Sequence, residues 1–192
     1  ETGPARSGSQ AGRGVVVLAA DLEGADVLAA FLAASFDVVR ISDVPGVDLA
    51  GQIETALRSR NLAGPLHLVS HGFPGGFQFG SRHIGSTEIL AARDRWSAVG
   101  RLLGDGAEIL VYGCSTGAGL RGEDFVRTLA DVTGARVAAS VNATGAEHVG
   151  GDWELEVSSG VIANGCLSIP SEVWSGLLQQ TVFNAAQNTL NF

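Results

Sequence analysis

The feature that most constrains this chain is its alternation of short, continuous apolar runs with segments of helical spacing. The runs lie at residues 15–20, 37–41, 66–70, 107–111 and 136–140. A strand that is apolar along its whole length has no side to turn to water, so it belongs in a sheet covered on both faces. Between the runs, residues 24–36 carry Val27, Leu28, Phe31 and Leu32 at helical spacing, and residues 47–58 set Leu49, Ile53, Ala56 and Leu57 on one face. Ser86-Thr87-Glu88 opens a third helix running towards Leu103, and residues 123–132 make a fourth. Strands joined through helices run parallel, because a crossover returns the chain to the same end of the sheet. The expected fold is α/β, a three-layer sandwich with a mostly parallel sheet and helices on both faces.

Smaller features fill the gaps. Phe77-Gln78-Phe79 and Arg82-His83-Ile84, set in a Gly-rich stretch, read as a small hairpin. Trp153-Glu154-Leu155-Glu156-Val157 alternates and reads as a further hairpin strand. Val173-Trp174-Ser175-Gly176-Leu177-Leu178 reads as a last packed turn or helix. Residues 1–13, rich in Gly, Ser and Arg, read as a flexible lead-in, residues 14–178 as one domain, and residues 179–192 as a polar tail or linker. Position 1 is not Met and the chain has none. We therefore expect it to begin after its translational start, and Glu1-Thr2-Gly3 is left out of the fold reading.

With 45% hydrophobic and 17% charged residues, the 192-residue chain has the balance of one globular domain rather than of a disordered one. A net charge of −8 disfavours nucleic acid and anionic membranes as partners, and suits solubility or a basic peptide substrate. No apolar run approaches the ~20 residues that span a bilayer.

The chemistry concentrates at the ends of two runs. Leu66-His67-Leu68-Val69-Ser70 leads into His71-Gly72, and Ala107-Glu108-Ile109-Leu110-Val111 leads into Tyr112-Gly113-Cys114. In an open parallel sheet, reactive groups gather at the carboxyl ends of strands. His71 and Cys114 are 43 residues apart, room for a hairpin, a helix and a strand, so the two ends can be neighbours. An imidazole beside a thiol is the arrangement of a cysteine hydrolase: the base takes the thiol proton and later protonates the leaving amine. Gly72 lets backbone approach a substrate closely, and the N–H groups of Gly72 and Cys114 suit a developing oxyanion. The opposing reading makes His71 a cap or core residue and Cys114 a buried thiol. Cys166, after Ala163-Asn164-Gly165, reads as structural, and the two cysteines also permit a disulfide.

Other chemistries are weaker. Gly117-Ala118-Gly119-Leu120-Arg121-Gly122 fits G-x-G-x-x-G, but it begins several residues past its strand, and Ser140-Val141-Asn142 after the next strand offers no acid for a ribose. A loop shaping the crevice beside Cys114 is the better reading. His67 and His71 on one strand stand ~13 Å apart, too far for one ion. His67 is expected to pack against a neighbour. No metal and no cofactor are expected; calcium activation is compatible with acidic loops, yet no calcium-loop motif calls for it. Ser115 after Cys114 makes no nucleophile elbow and reads as a turn or cap residue.

Four segments in order carry a family resemblance: Leu68-Val69-Ser70-His71-Gly72, Ile109-Leu110-Val111-Tyr112-Gly113-Cys114, Val137-Ala138-Ala139-Ser140, and Thr144-Gly145 through Gly150-Gly151-Asp152-Trp153-Glu154-Leu155-Glu156. The first two resemble caspase-type cysteine peptidases. Together, over roughly residues 14–157, they resemble the DUF4347 domain of very large bacterial secreted or surface proteins with adhesin-like repeats. The resemblance implies a caspase-like fold, a His71–Cys114 dyad cleaving peptide bonds, and a polypeptide substrate, the parent protein itself included. It implies a specificity pocket near Asp21, at the end of the first run, where an acid receives a basic side chain. Tyr112 departs from this pattern, since metacaspases carry an acid there. Tyr112, Ser140 and Asp152 complete the expected substrate-binding set, although Gly151-Asp152-Trp153 also reads as turn chemistry. The alternative is a catalytically inactive binding or spacer module on the same fold.

Overall fold

Each apolar run becomes a strand of one sheet. The computed structural model describes residues 13–60 and 64–179. In chain order the elements are β1 (Val15–Ala19), α1 (Ala25–Leu32), β2 (Asp37–Ile41), α2 (Leu49–Arg58), β3 (Leu66–Val69), β4 (His71–Phe73), β5 (Gly76–Phe79), β6 (Arg82–Gly85), α3 (Ser86–Ala91), α4 (Arg93–Leu103), β7 (Glu108–Tyr112), α5 (Gly119–Thr133), β8 (Arg136–Ala139) and β9 (Val157–Ser158). The main sheet has the order β2-β1-β3-β7-β8-β9. All its pairings are parallel except that of β9 on β8. The fold is mixed α/β with a mostly parallel six-stranded sheet.

Every residue of β1, β3 and β7 is buried. That is the physical meaning of their unbroken apolar runs: both faces are covered. On one side α2, α4 and α5 lie in a row, each packed on the next, while α1 packs on β1 and β2. The chain steps one way across the sheet through α1 and the other way through α2, α4 and α5, and right-handed crossovers put these on opposite faces. The face that carries His67, Leu110 and Tyr112 is finished by the chain after β8. Trp153 stacks near Tyr112 with ring centroids 5.9 Å apart, Trp174 lies 5.9 Å from Trp153, and the Leu167 N–H donates to the Tyr112 hydroxyl at 2.9 Å. The Trp174 indole in turn donates to the Glu23 carbonyl at 2.8 Å, tying this cover to the loop before α1.

Several local expectations are corrected. The small hairpin is a three-stranded antiparallel meander, β4-β5-β6, and His71 begins its first strand. The single helix expected from Ser86 to Leu103 breaks at Ala92 (φ −103°, ψ 27°). The break lets α3 lie on β6 and α5 while α4 turns to α2. Helix α5 begins at Gly119, earlier than expected, because glycines of low helix propensity disguise its first turn. The alternation at residues 153–157 does not make a strand; only Val157–Ser158 pairs, and Trp153 is buried for its packing on Tyr112. Residues 173–178 make no helix. The lead-in falls outside the described residues except for Arg13, and the tail except for Gln179.

At the foot of β7, the buried Glu108 carboxylate anchors the loop after β9. It accepts from the N–H groups of Ala163 (2.7 Å) and Asn164 (3.0 Å), from the Asn164 amide (2.7 Å) and from Arg136 (3.0 Å). Burial alone raises its pKa, but these donors and the Arg136 charge outweigh burial and hold it below its ordinary value. A lowered carboxylate stabilises the fold above its unfolded pKa and loses that contribution as pH falls through its folded one. Glu108→Gln should therefore lower Tm by about 3–8 °C at pH 7, with the gap from the parent narrowing below the ordinary value of 4.5. Thermal melts of both chains between pH 7 and pH 3 check this; a gap that widens in acid contradicts it.

Candidate functional site

The site lies at the carboxyl end of the sheet, where β3 and β7 run side by side in parallel. The Ser70 N–H donates to the Tyr112 carbonyl at 3.1 Å, which extends that ladder to the last residues before His71 and Gly113. The chain then turns into β4 on one strand and into the Cys114 turn on the other. Here the two backbones touch. A Cβ on Gly72 would sit 2.4 Å from the Gly113 carbonyl carbon and 2.6 Å from the Cys114 nitrogen. No side chain fits in that gap, and only glycine permits so close an approach.

Cys114 is 6% exposed. Its sulfur accepts from the Thr144 N–H at 3.3 Å and its thiol reaches the Thr144 carbonyl at 3.6 Å. Burial pushes the thiol pKa above its ordinary value, although the N–H groups of Thr144, Cys114 and Leu178 partly offset it. Ser115, next in the chain, holds a positive φ of 60°, among the described residues the one non-glycine to do so. Its N–H donates to the Asn142 carbonyl at 2.7 Å, which helps hold that conformation. Both cysteines are free, Cys114 buried and Cys166 exposed, so the disulfide option falls away.

His71 is half-buried, and its Nδ1 is buried without a hydrogen-bond partner. Its side lines a cavity of about 530 Å³ with Asp21, Glu23, Trp174, Gly176, Leu177 and Gln179 among the walls. Asp21 thus shares a cavity with the imidazole, and Glu23 makes that cavity more acidic.

The residue that sequence reasoning missed is Leu178. The Gly72 N–H (3.0 Å) and the Cys114 N–H (3.2 Å) both donate to its carbonyl oxygen. The Leu178 N–H donates to the Thr144 carbonyl at 2.8 Å, and the Gly176 carbonyl accepts from the Ala146 N–H at 2.9 Å. Leu177 makes an antiparallel bridge with Gly145, and Gln179 a parallel one with Gly72. Residues 176–179 therefore lie as an extended strand across the site. Gly145 makes room for it: at φ 141°, a Cβ there would meet the Gly176 carbonyl at 2.4 Å. Leu178 is fully buried and Gln179 exposed. The available signal was the apolar residues Trp174, Leu177 and Leu178, placed just before a polar tail.

The chain matches the family model described as Domain of unknown function (DUF4347) over residues 15–177. It belongs to the DUF4347 family. No curated protein matches it.

Two of the substrate contacts expected in this DUF4347 domain are corrected. Tyr112 is fully buried; its hydroxyl is held by the Leu167 N–H and lies 3.4 Å from His67 Nδ1, so it fills the core. Ser140 is also fully buried, with its hydroxyl 3.0 Å from the Asn142 side-chain oxygen and its carbonyl accepting from the Gly117 N–H. Tyr112 ends β7 and Ser140 follows β8, and both side chains are closed off from the surface. Asp152 serves the turn, accepting from the Glu154 N–H at 2.9 Å and the Asn142 amide at 3.0 Å. It also lines a second cleft of about 650 Å³ whose walls include Glu147, Glu154, Glu172 and Cys166. His67 packs between Phe36 and Tyr112, and burial lowers its pKa to about 4, so it stays neutral.

The Gly-rich motif is absorbed by packing. A Cβ on Gly122 would lie 1.9 Å from the Gly117 carbonyl carbon, so these glycines close the first turn of α5 on the Cys114 turn. Among the described residues, no group of three or more His, Cys, Asp or Glu is placed to hold a metal, and no helix is long and apolar enough to cross a membrane.

Exposure separates the two thiols, although burial raises the pKa of both. Iodoacetamide should alkylate Cys166 well before Cys114 in the folded chain at pH 8, and the Cys114 rate should climb only as pH passes its raised pKa. Peptide mass spectrometry over a pH series reads both; equal rates for the two cysteines would contradict the burial of Cys114.

Proposed function

We propose that this domain is a caspase-like cysteine endopeptidase, part of a larger secreted or surface protein, with His71 and Cys114 as its dyad and a polypeptide as its substrate. One observation carries the reading: the N–H groups of Gly72 and Cys114, the latter of the residue that bears the thiol, converge on a single carbonyl oxygen. Two preorganised donors aimed at one point at hydrogen-bond distance are what a tetrahedral intermediate needs for its oxyanion. The close approach of Gly72 to Gly113 and Cys114 is what fixes them.

The chemistry follows from the environment. With the thiol held above its ordinary pKa, attack runs through proton transfer to a base rather than from a preformed thiolate. His71, at the end of the neighbouring strand and with an unpartnered buried Nδ1, is the base in this reading. It takes the thiol proton as the sulfur adds to the carbonyl carbon, and returns it to the departing amine. The antiparallel edge at residues 144–146 is the rail that holds a substrate strand, since main-chain pairing orients a peptide whatever its side chains. Asp21 and Glu23 give the cavity beside His71 an acidic wall.

The alternative, an inactive module on this fold, draws on the burial of Cys114. A peptidyl vinyl sulfone offered to the folded chain separates the two. Covalent labelling of Cys114 that falls by a factor of ~10²–10⁴ in His71→Ala supports the dyad. Labelling that proceeds equally without His71, or an inert Cys114 in a chain whose residues 176–179 have been displaced by Leu178→Lys, supports the inactive module.

A further inference from the structure

Resting on the peptidase reading, we infer that the bond between Leu178 and Gln179 is the domain's own substrate, cleaved in cis. The carbonyl oxygen held by the Gly72 and Cys114 N–H groups belongs to Leu178. No other residue described in the chain offers its carbonyl to both. The surrounding strand is bound as a substrate strand is bound. Gly176 and Leu178 pair with Ala146 and Thr144 on one side, and Gln179 bridges Gly72 on the other. The Leu178 side chain is fully seated, whereas Gln179, on the leaving side, is exposed. The burial of Cys114 then has a specific cause: the thiol is covered by the segment it attacks.

The reaction balances with water as the only co-reactant. The Cys114 sulfur bonds to the Leu178 carbonyl carbon, His71 takes the thiol proton, and the oxygen carries the charge between the two N–H groups. The bond from that carbon to the Gln179 nitrogen breaks, and the nitrogen leaves as an amine with the proton from His71. Water then attacks the thioester, leaving a carboxylic acid on Leu178 and restoring the thiol. Tethering the scissile bond in the site replaces a bimolecular encounter, so a single slow turnover needs no affinity for free peptide. The recognition it implies is an apolar residue before the cut, in an extended strand free of bulk two residues upstream, where Gly176 lies against Gly145.

Purified full-length chain, incubated at pH 8 under reducing conditions, tests this by intact mass and amino-terminal sequencing. A fragment beginning at Gln179 that accumulates in the parent and is reduced at least ~100-fold in Cys114→Ala and His71→Ala supports the inference. In water enriched in oxygen-18, the new Leu178 carboxyl gains the label. Cleavage at any other bond overturns the inference and leaves the peptidase reading standing. So does a chain that stays whole while a folded Leu178→Lys variant, its segment expelled by the buried charge, labels with the vinyl sulfone in a His71-dependent way. A chain that stays whole and whose Cys114 is inert in both forms overturns the inference and the peptidase reading together. Should Leu178→Lys fail to fold, Leu178→Asn takes its place in the labelling, and where the parent does cleave, Gln179→Pro at the exposed leaving position should stay whole.

Discussion

The site depends on a contact between two pieces of backbone. Gly72 and Gly113–Cys114 approach so closely that no side chain can stand between them. Parallel pairing of β3 with β7 brings the two strand ends together, but ordinary residues would splay them as they leave the sheet. With glycine at 72, the first N–H after His71 and the N–H of Cys114 can point at one place. Everything chemical about the region follows from this geometry: the pair of donors, the nearby sulfur, and the imidazole on the adjacent strand end.

The rest of the fold serves to hold that contact rigid. Three strands buried on both faces supply a core in which each fully buried Val, Leu or Ile contributes roughly 1.5–3 kcal/mol. On one face the helices α2, α4 and α5 pack as a continuous layer. On the other, the chain after β8 wraps back, pinned by the Glu108 carboxylate at the foot of β7 and by Trp153 and Trp174 higher up. That wrap ends by feeding residues 176–179 into the site. The cover of the second face and the strand across the site are thus one continuous segment, and loosening one loosens the other.

Burial of a cysteine usually counts against reactivity, because desolvation disfavours the thiolate. Here the burial and the hydrogen bonds around the sulfur have to be weighed together. The N–H groups of Thr144, Cys114 and Leu178 all favour the thiolate, and two of the three come from the paired segments 144–146 and 176–179. The net result is a thiol held above its ordinary pKa, which under the proposed function ionises only as a base takes its proton.

What the sequence by itself determined is the layering and the addresses of the reactive groups. Unbroken apolar runs demanded a sheet covered on both sides, and the helical spacing between them demanded parallel strands. Those two periodicities put His71 and Cys114 at the ends of two strands, while four short motif segments, not the periodicities, carried the family resemblance. Local pattern misled where packing overrode it: at Ala92, where two helix directions are needed, and at Tyr112 and Ser140, whose polar groups are satisfied inside the core. The tertiary structure alone decided what faces the Cys114 and Gly72 N–H groups. A strand that makes its hydrogen bonds to residues 144–146 and 72, far away in the chain, leaves no period in its own sequence. Leu178 was therefore legible as an apolar residue near the end of a domain, but its place across the site exists only once the sheet, the Gly145 turn and the wrapped segment are assembled together.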